Sequence, residues 1–490
     1  MRKRGMSDAS QRPALVWLRQ DLRLADNPAL ATAAKTGARV AFVYVLDDKT
    51  PGRWKLGAAS RWWLHRSLEA LSAALAKRGA RLILRRGDAA KVIPALAKEI
   101  GAAHVFWSRC YEPYAIARDT AIKAALLKAG VAVESVNAAL FVEPWEMRTG
   151  AGEPYKVFTP FWRAVRAQGA LRAPIPPPKQ FNAFAGSATS DDLASWKLLP
   201  TKPNWASEFE KAWKPGEAGA HAALDHFLDG ALSAYPKARD RADIDGTSRL
   251  SPHLHWGELS PAQAAASATA YAEAHGTPSA SLEKFLAELG WREFSHHLLF
   301  HWRDLPSANW KPQFDAFPWA NDEARFAAWT RGETGYPMVD AGMRQLWRTG
   351  WMHNRVRMIA ASFLIKDLMI DWRRGADWFW DTLVDADLAN NSASWQWVAG
   401  SGADASPFFR IFNPVTQGET YDPNGDYVRR WAPELAKLPA EHIHAPWKAP
   451  AVVLREAGVT LGETYPNPIV DHAEARQRAL EAFAAIKSAA

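Results

Sequence analysis

Apolar residues along this chain follow two regimes. Up to about residue 136, short β-branched and aromatic runs alternate with Ala/Leu-rich segments at helical spacing. ALVWL (14–18) and, after Arg39, the rest of RVAFVYVL (39–46) are runs of apolar and aromatic residues, which is the pattern of parallel strands buried on both faces. ARLILRRGD (80–88), HVFWS (104–108) and VAVESV (131–136) are three further strands. Helices are expected between them. The first follows Asn27 as N-cap with Pro28 at its first position. The second is RWWLHRSLEALSAALAKRG, capped by Ser60 and ended by Gly79. AAKVIPALAKEIG and ARDTAIKAALLKAG complete the set. Strand–helix alternation with short links predicts an open, doubly wound, Rossmann-like α/β domain over 13–136. Such sheets bind ligands outside the carboxyl ends of their strands, where Arg19, Tyr44, Asp47, Arg109 and Glu112 fall. No GxGxxG or GxxxxGK[ST] follows any of these strands. GSGADA (400–405) has the look of the former but continues a helical pattern.

From Asn137 to residue 212 the periodicity is lost. PIPPPKQ (174–180) and GSATSDD (186–192) mark an inter-domain connector. From Trp213 to Ala490 helical patterns run without a convincing strand, so an all-α domain is expected over 213–490. The polar residues 1–12 are expected as a disordered arm.

Composition narrows the function. In 490 residues no apolar run approaches the roughly 20 needed to span a bilayer. The chain is therefore read as a soluble, cytoplasmic protein, monomeric and without an obligate protein partner. One cysteine, Cys110, excludes a disulfide framework and a multi-Cys metal site, and no HExxH is present, so no metal is expected. A net charge of +8 is only a weak sign of a polyanionic partner. The 25 Trp say more: beyond filling a helical core, so many imply aromatic platforms, an electron-transfer role, or both.

Three stretches carry chemistry. In GTSRLSPHL (246–254) hydroxyls and backbone N–H groups gather at a helix start beside Arg249, an anion site, although Ser-Pro is also an ordinary N-cap. In FLAELGWREF (285–294) Glu288 and Trp291 share a helix face, where they can hold and stack a nucleobase or simply edge a core. Between Trp351 and Trp397, Asn354, Arg355, Arg357 and Met358 crowd one turn of helix. Asp385 and Asp387 precede Asn390-Asn391, and Trp395 and Trp397 follow. Without an accompanying His the two carboxylates suit a heterocycle's N–H groups better than a metal.

Several motifs together resemble the photolyase/cryptochrome family. TSRLSPHLHWGELS, ELGWREF, GYPMVDAGMRQLWRTGWMHNRVRMIAASFLIKDLMIDWR and DLANNSASWQWVAGSGADASPFFRIFNPVTQ are similar to its FAD-binding domain. WLRQDLRLADNPAL is similar to its α/β domain, and YKVFTPFWRA to the segment closing it. The resemblance implies FAD held by Tyr235, Thr247, Ser248, Arg249, Leu250 and Ser251 at its phosphates. Phe285, Arg292 and Asn354 would line the cofactor, with Asp385 and Asp387 facing the isoalloxazine and ribitol and Asn391 beside flavin N5. An amide there suits the reduced flavin that repair needs. Plant cryptochromes resemble one another in having Asp at that position, animal ones Cys.

Two His stand at the positions of Asn354 and Met358 in (6-4) photolyases; Asn and Met are the pattern for cyclobutane pyrimidine dimers. The resemblance thus implies a deoxyribodipyrimidine photo-lyase acting on dimer-containing DNA. Glu288 would hydrogen-bond the dimer, Trp291 and Trp397 would stack on its bases, and Arg239 and Arg355 would meet phosphates. Flipping such a lesion out costs little stacking. Trp395, Trp372 and Trp319 match the family's tryptophan chain for photoreduction.

The family's folate-antenna pairs are replaced here by Tyr114-Ala115 and Leu305-Pro306, and Phe285 stands where Trp is common. These departures resemble class III bacterial enzymes, which implies 5,10-methenyltetrahydrofolate near the strand ends, with Tyr44, Asp47, Arg109 and Glu112 as its expected contacts. The alternative is a cryptochrome-like blue-light receptor without repair activity. A plain nucleic-acid-binding scaffold would be colourless.

Overall fold

The computed structural model describes residues 12–169, 171–404 and 409–488. The expected arm therefore lies outside the described residues except for Arg12, whose guanidinium donates to the Gly101 and Ala102 carbonyls at 3.1 and 3.0 Å.

Five strands form where the apolar runs stand: β1 (Ala14–Leu18), β2 (Val40–Leu46), β3 (Leu82–Arg86), β4 (His104–Ser108) and β5 (Ala132–Val136). All pair in parallel, in the order β3-β2-β1-β4-β5. Every residue of β1 and β2 is buried, as helices on both faces demand. Leu15, Trp17, Val43, Val105 and Trp107 lie in one core cluster with the helices Ala89–Glu99 and Pro113–Lys128.

Asn27 caps the helix Pro28–Lys35 as expected, its Oδ1 accepting from Leu30 N at 3.0 Å. Ser60 does not cap the next helix. That helix runs Ala58–Ala76 with Gly57 as N-cap, and Ser60 is buried inside its first turn. The hydroxyl that looked like a cap is a core-facing group because the helix starts two residues earlier, where Ala58 and Ala59 pose no obstacle.

Part of the Pro- and Ser-rich stretch after residue 137 is bonded to the sheet and to the loop that follows β1. Asp26, buried and with φ of 47°, takes both Nη atoms of Arg172 at 2.6 and 2.7 Å and the Ile175 amide at 2.8 Å. Val40 exchanges bonds with Asn182 and Phe184, and the Asp191 amide donates to Leu84 O. The stretch also contains a helix, Phe158–Ala167. By contacts the chain divides into two compact units. One comprises residues 1–155, 159–229 and 248–303; the other comprises 156–158, 230–247 and 304–490.

Beyond Val136 no further strand forms among the described residues. In the second unit the helix Pro337–Thr349 packs on Asn354–Ser362, and Trp372–Thr382 on Leu388–Ala399. Helix Asn354–Ser362 continues into a π-helical turn, Phe363–Asp367. There the buried Lys366 donates to Val398 O and Arg410 O, both at 2.6 Å. Burial pushes that ammonium down to about 7. Among the described residues no helix is long and apolar enough to cross a membrane, and no cluster of His, Cys and carboxylates could hold a metal.

Candidate active site

The second unit gathers most of the chemistry singled out in 351–397. His353 is the N-cap of Asn354–Ser362, its Nδ1 accepting from Arg355 N at 3.2 Å. Asn354 at the first helical position is exposed, and Met358, one turn on, is half-buried. The i, i+4 spacing puts both on one face. Arg357 is committed within the protein, its Nε donating to Met352 O and its Nη2 to Asp385 Oδ2, both at 2.8 Å. The Asp385 side chain is only 2% exposed. Its loop is held by the Val384 amide donating to Gly350 O, at a Gly with φ of 67° that ends the preceding helix.

Asp387 caps Leu388–Ala399, one of its oxygens accepting from the Asn390 amide and from Asn390 Nδ2, both at 2.8 Å. The next residue, Asn391, donates from Nδ2 to Ala376 O at 3.0 Å. A carbonyl partner fixes the sense of that amide, so its Oδ1 points away as an acceptor. The two adjacent Asn thus have different tasks: the first completes a cap, the second presents a carbonyl.

Trp395 is buried, with its ring edge-on to Phe379 at 5.0 Å and to Trp329 at 6.3 Å. Its benzo edge fills the space of a Cβ at Gly375. Gly375 lies three residues beyond Trp372 on one helix, so Trp395 packs against the turn that Trp372 begins. Trp372 is fully buried and donates from Nε1 to Asn309 Oδ1 at 2.9 Å. Trp319 is half-buried, 4.4 Å from the Phe317 ring, and the next amide, Ala320, donates to Met369 O at 2.6 Å. All three tryptophans therefore converge on residues 369–375 within one unit. Trp397 is half-buried near the end of the helix carrying Trp395.

Arg239 and Arg355 form no free basic rim. Arg355 pairs with Asp240 at 3.0 Å and lies over Tyr421 at 4.5 Å, and Arg239 faces the same Asp240 at 3.4 Å. Their side chains are 15% and 14% exposed. Nearby Tyr235 is buried, and Gly246 approaches the Ala238 carbonyl so closely that a Cβ would overlap it.

In the first unit the helix Ser279–His301 carries Glu288 and Trp291, both half-buried. Glu288 pairs with Lys284 at 2.9 Å. Phe285 is core, 4.9 Å from Phe227. Arg292 Nη1 donates to Ala139 O at 2.6 Å, and buried Glu293 accepts from the Phe141 amide at 2.7 Å while burial raises its carboxyl to about 7. In the anion-site sequence the cap is Leu250 without a side-chain bond, so Ser251 opens the five-residue helix and the ordinary-cap reading fails. Arg249 takes a left-handed φ of 50°, with its guanidinium 4.4 Å over Trp213, and Ser248 Oγ accepts weakly from Leu250 N at 3.4 Å. Thr247 precedes this stretch at the edge of the other unit.

Of the four expected antenna contacts, Asp47 and Arg109 have their polar groups bonded within the protein. Asp47 accepts from the Lys49, Thr50 and Ala89 amides at 3.0, 3.0 and 3.1 Å and from the Thr50 hydroxyl. Arg109 is tied to Glu143 at 2.7 Å and to Ser135. Glu112 accepts from Gln20 at 3.0 Å, and Tyr44 is buried near Trp196. Tyr44 and Asp47 belong to β2 and its exit, Arg109 and Glu112 to the exit of β4, with β1 and Arg19 between them. Arg19 itself is closed by Asp119 at 2.5 Å.

Comparison with known proteins fits this geometry. Residues 14–179 match the family described as DNA photolyase, and 285–485 match the FAD binding domain of DNA photolyase. A deoxyribodipyrimidine photo-lyase of Agrobacterium fabrum is 54% identical over 475 residues, covering 97% of this chain and 98% of the relative. The chain belongs to the photolyase/cryptochrome family. Cryptochrome-1 of Arabidopsis thaliana is 41% identical, over 96% of this chain and 70% of the relative. Among solved structures, a bacterial class III photolyase from Agrobacterium tumefaciens superposes with a TM-score of 0.94 at 54% identity, covering 98% of this chain and 99% of that one.

Membership in this family makes FAD the group to test against the residues present, and they fit it. His353 is 3% exposed, and with Nδ1 committed as acceptor its Nε2 is a buried donor without a protein partner among the described residues. Burial first, then the nearby Arg239, Arg355 and Arg357 despite Asp240, hold that imidazole down to about 4, hence neutral. A neutral N–H beside Asn354 and an outward carbonyl on Asn391 supply a donor and an acceptor for a heterocycle. Sequence reasoning passed over His353 because it weighed His only as a metal ligand. The signal was its place immediately before Asn354, where a His can cap a helix and still offer its second nitrogen.

Proposed function

We propose that this protein is a light-driven DNA repair enzyme that splits cyclobutane pyrimidine dimers, with reduced FAD as its working cofactor. The orientation of Asn391 carries the reading. Its Nδ2 bond to Ala376 O leaves a carbonyl facing outward, and a carbonyl accepts from the N–H that only a reduced flavin has at N5. When bound and excited by light, reduced FAD supplies one electron to the dimer and recovers it once the ring has opened.

The chain's residues bind, orient and shield. Arg357 neutralises the buried Asp385 and holds its loop, so that this carboxylate faces the cofactor as a fixed acceptor rather than a free charge. Asp387 keeps the turn before Asn391 rigid through its cap. Exposed Asn354 and half-buried Met358 present an amide and a soft apolar surface on one helix face toward the lesion. Glu288 accepts from the dimer's N–H edge after leaving Lys284, while Trp291 and Trp397 stack on the flipped bases. Phosphate contact at Arg239 or Arg355 exchanges the Asp240 carboxylate for another anion, so these two sense DNA at little net cost in charge. Tyr235, Thr247, Ser248, Arg249, Leu250 and Ser251 hold the cofactor's phosphates, and Trp395, Trp372 and Trp319 carry electrons inward to restore its reduced state. The light-gathering second chromophore is 5,10-methenyltetrahydrofolate. Its contacts are sought away from Asp47 and Arg109, whose polar atoms are already taken.

The test is direct. Purified protein, chemically reduced, is mixed with an oligonucleotide containing one dimer and exposed to blue light. Restored thymines support the reading, and an unrepaired oligonucleotide with flavin bound favours the receptor instead. An absorption spectrum with extraction identifies the second chromophore.

A further inference from the structure

Between the helix Ser279–His301 and the turn at Pro312–Ala316 runs a segment, 305–311, that has no regular structure yet is held at nearly every residue. Gln396, fully buried between Trp395 and Trp397, donates from Nε2 to Leu305 O and Ala308 O at 2.7 and 2.8 Å and accepts from Trp310 N at 2.8 Å. Arg373 Nε donates to Ser307 O at 2.7 Å, and the Lys311 amide to Ser401 O at 2.9 Å. Among the side chains this clamp holds inward is Asn309, 7% exposed, whose Oδ1 receives the indole N–H of Trp372 at 2.9 Å. Its Nδ2 donates to Asp315 Oδ1 at 2.7 Å, which fixes the amide's sense.

We propose that Asn309 is a positioning residue for electron transfer, an amide that stabilises oxidised Trp372 while leaving its indole proton in place. The proposal rests on reading Trp395, Trp372 and Trp319 as an electron route. In each passage Trp372 gives one electron to oxidised Trp395 and receives one from Trp319, which a thiol in solution restores. No N–H bond is broken. One-electron oxidation makes an indole N–H strongly acidic. A carboxylate or water at that nitrogen takes the proton, and re-reduction then has to wait for its return. An amide carbonyl is too weak a base to do so, yet its bond strengthens when the donor becomes cationic. The Arg373 guanidinium, 4.8 Å over the Trp372 ring, works against the positive charge, but Asp371 neutralises it at 2.9 Å. Asp315, beyond the amide, adds an anion at one remove. Gln396 couples the arrangement to Trp395, because the residue that clamps Asn309's segment is the next in the chain.

The experiment uses the flavin-loaded protein with oxidised FAD and a thiol, followed by transient absorption in H2O and D2O. In the parent, Trp372 is expected as the protonated cation radical, with no solvent isotope effect on its re-reduction. Asn309→Asp combined with Asp315→Asn exchanges the amide and the carboxylate, so that no second carboxylate lies against the new one, and puts a base at the nitrogen; the neutral radical then replaces the cation, the step slows in D2O and the photoreduction yield falls several-fold. Asn309→Leu removes the acceptor, lowers the yield without an isotope effect, and in flavin-free protein shifts the resonance Raman band of the buried indole N–H. Should Asn309→Leu fail to fold, the isosteric Asn309→Asp/Asp315→Asn exchange carries the test alone. Variants matching the parent in radical form, isotope response and yield, while Trp372→Phe blocks photoreduction, overturn the proposal and leave the route standing. A Trp372→Phe protein that photoreduces like the parent overturns the route and the proposal with it.

Discussion

The carboxyl ends of the sheet and the helices between 351 and 397 hold similar polar residues and use them in opposite ways. At the strand ends most of the charge is answered by the protein itself: Arg19 by Asp119, Arg109 by Glu143, and Asp47 by three amides and a hydroxyl, although Arg19 Nε and Glu112 Oε2 find no partner among the described residues. In the helices one valence is spent on orientation and another is kept, as in Asn391, which donates to Ala376 and holds its carbonyl outward, and in His353, which caps with Nδ1 and keeps Nε2. A residue type that can bind a ligand does so only where the fold leaves it incomplete. Buried groups left incomplete cost stability, and a protein retains them where a ligand makes up the difference.

The largest effect expected from breaking this contrast is at Trp395. Trp395→Phe removes the oxidisable ring, together with the benzo edge that lies against Gly375, so photoreduction slows by roughly tenfold or more. Repair by chemically reduced protein falls much less. Equal photoreduction rates, timed by flavin bleaching under a thiol, would assign the work to another route.

His353 sharpens the comparison through pH. Its folded value near 4 lies below the ordinary 6.5, so between these values the unfolded chain binds more protons and stability falls as pH drops. At most about 3 kcal/mol is involved for the flavin-free protein. His353→Gln is expected to flatten this part of the pH profile of thermal unfolding and to weaken flavin retention. An unchanged slope would mean the ring has access to solvent.

Gly375→Ala tests contact rather than chemistry. The new Cβ would overlap Trp395 and lie 2.6 Å from Leu364 Cδ2, an overpacking worth about 1–3 kcal/mol. Calorimetry should show the melting temperature falling, with photoreduction falling alongside as Trp395 is displaced.

Asp47→Ala probes the closed region and has the smallest expected effect, about 1–2 kcal/mol. Although burial pushes its carboxyl up, bonds from Thr50 and from the Thr50, Ala89 and Lys49 amides hold it below the usual range. Its contribution is thus present above the ordinary carboxylate value and lost as pH falls through the lower folded one. Extracted second chromophore should match the parent's, and its disappearance would make Asp47 a ligand after all.

Much of the architecture was legible in the residues. The inner strands β1 and β2 stand on apolar runs because the middle of a parallel sheet covered on both faces accepts little else, whereas β5 carries Glu134 and Ser135 with no residue fully buried, and Asn27-Pro28 announced a helix start that local geometry alone secures. Ser60 misled because one hydroxyl is only a cap if the helix begins beside it. Connector residues 172–191, unpatterned in one dimension, are bonded to Asp26, Val40 and Leu84. Such contacts join residues far apart in the chain and leave no periodicity to read.

At the site, chain order alone determined which side chains are present: an amide at 391, Asn and Met at 354 and 358, and tryptophans at 319, 372 and 395. Tertiary structure alone decided which of their atoms are free for chemistry. Residue type sets the donors and acceptors a side chain owns. Packing decides how many are spent at home, as Arg239 and Arg355 spend theirs on Asp240 while Asn309, ordinary in sequence, is carried by Gln396 to the nitrogen of Trp372.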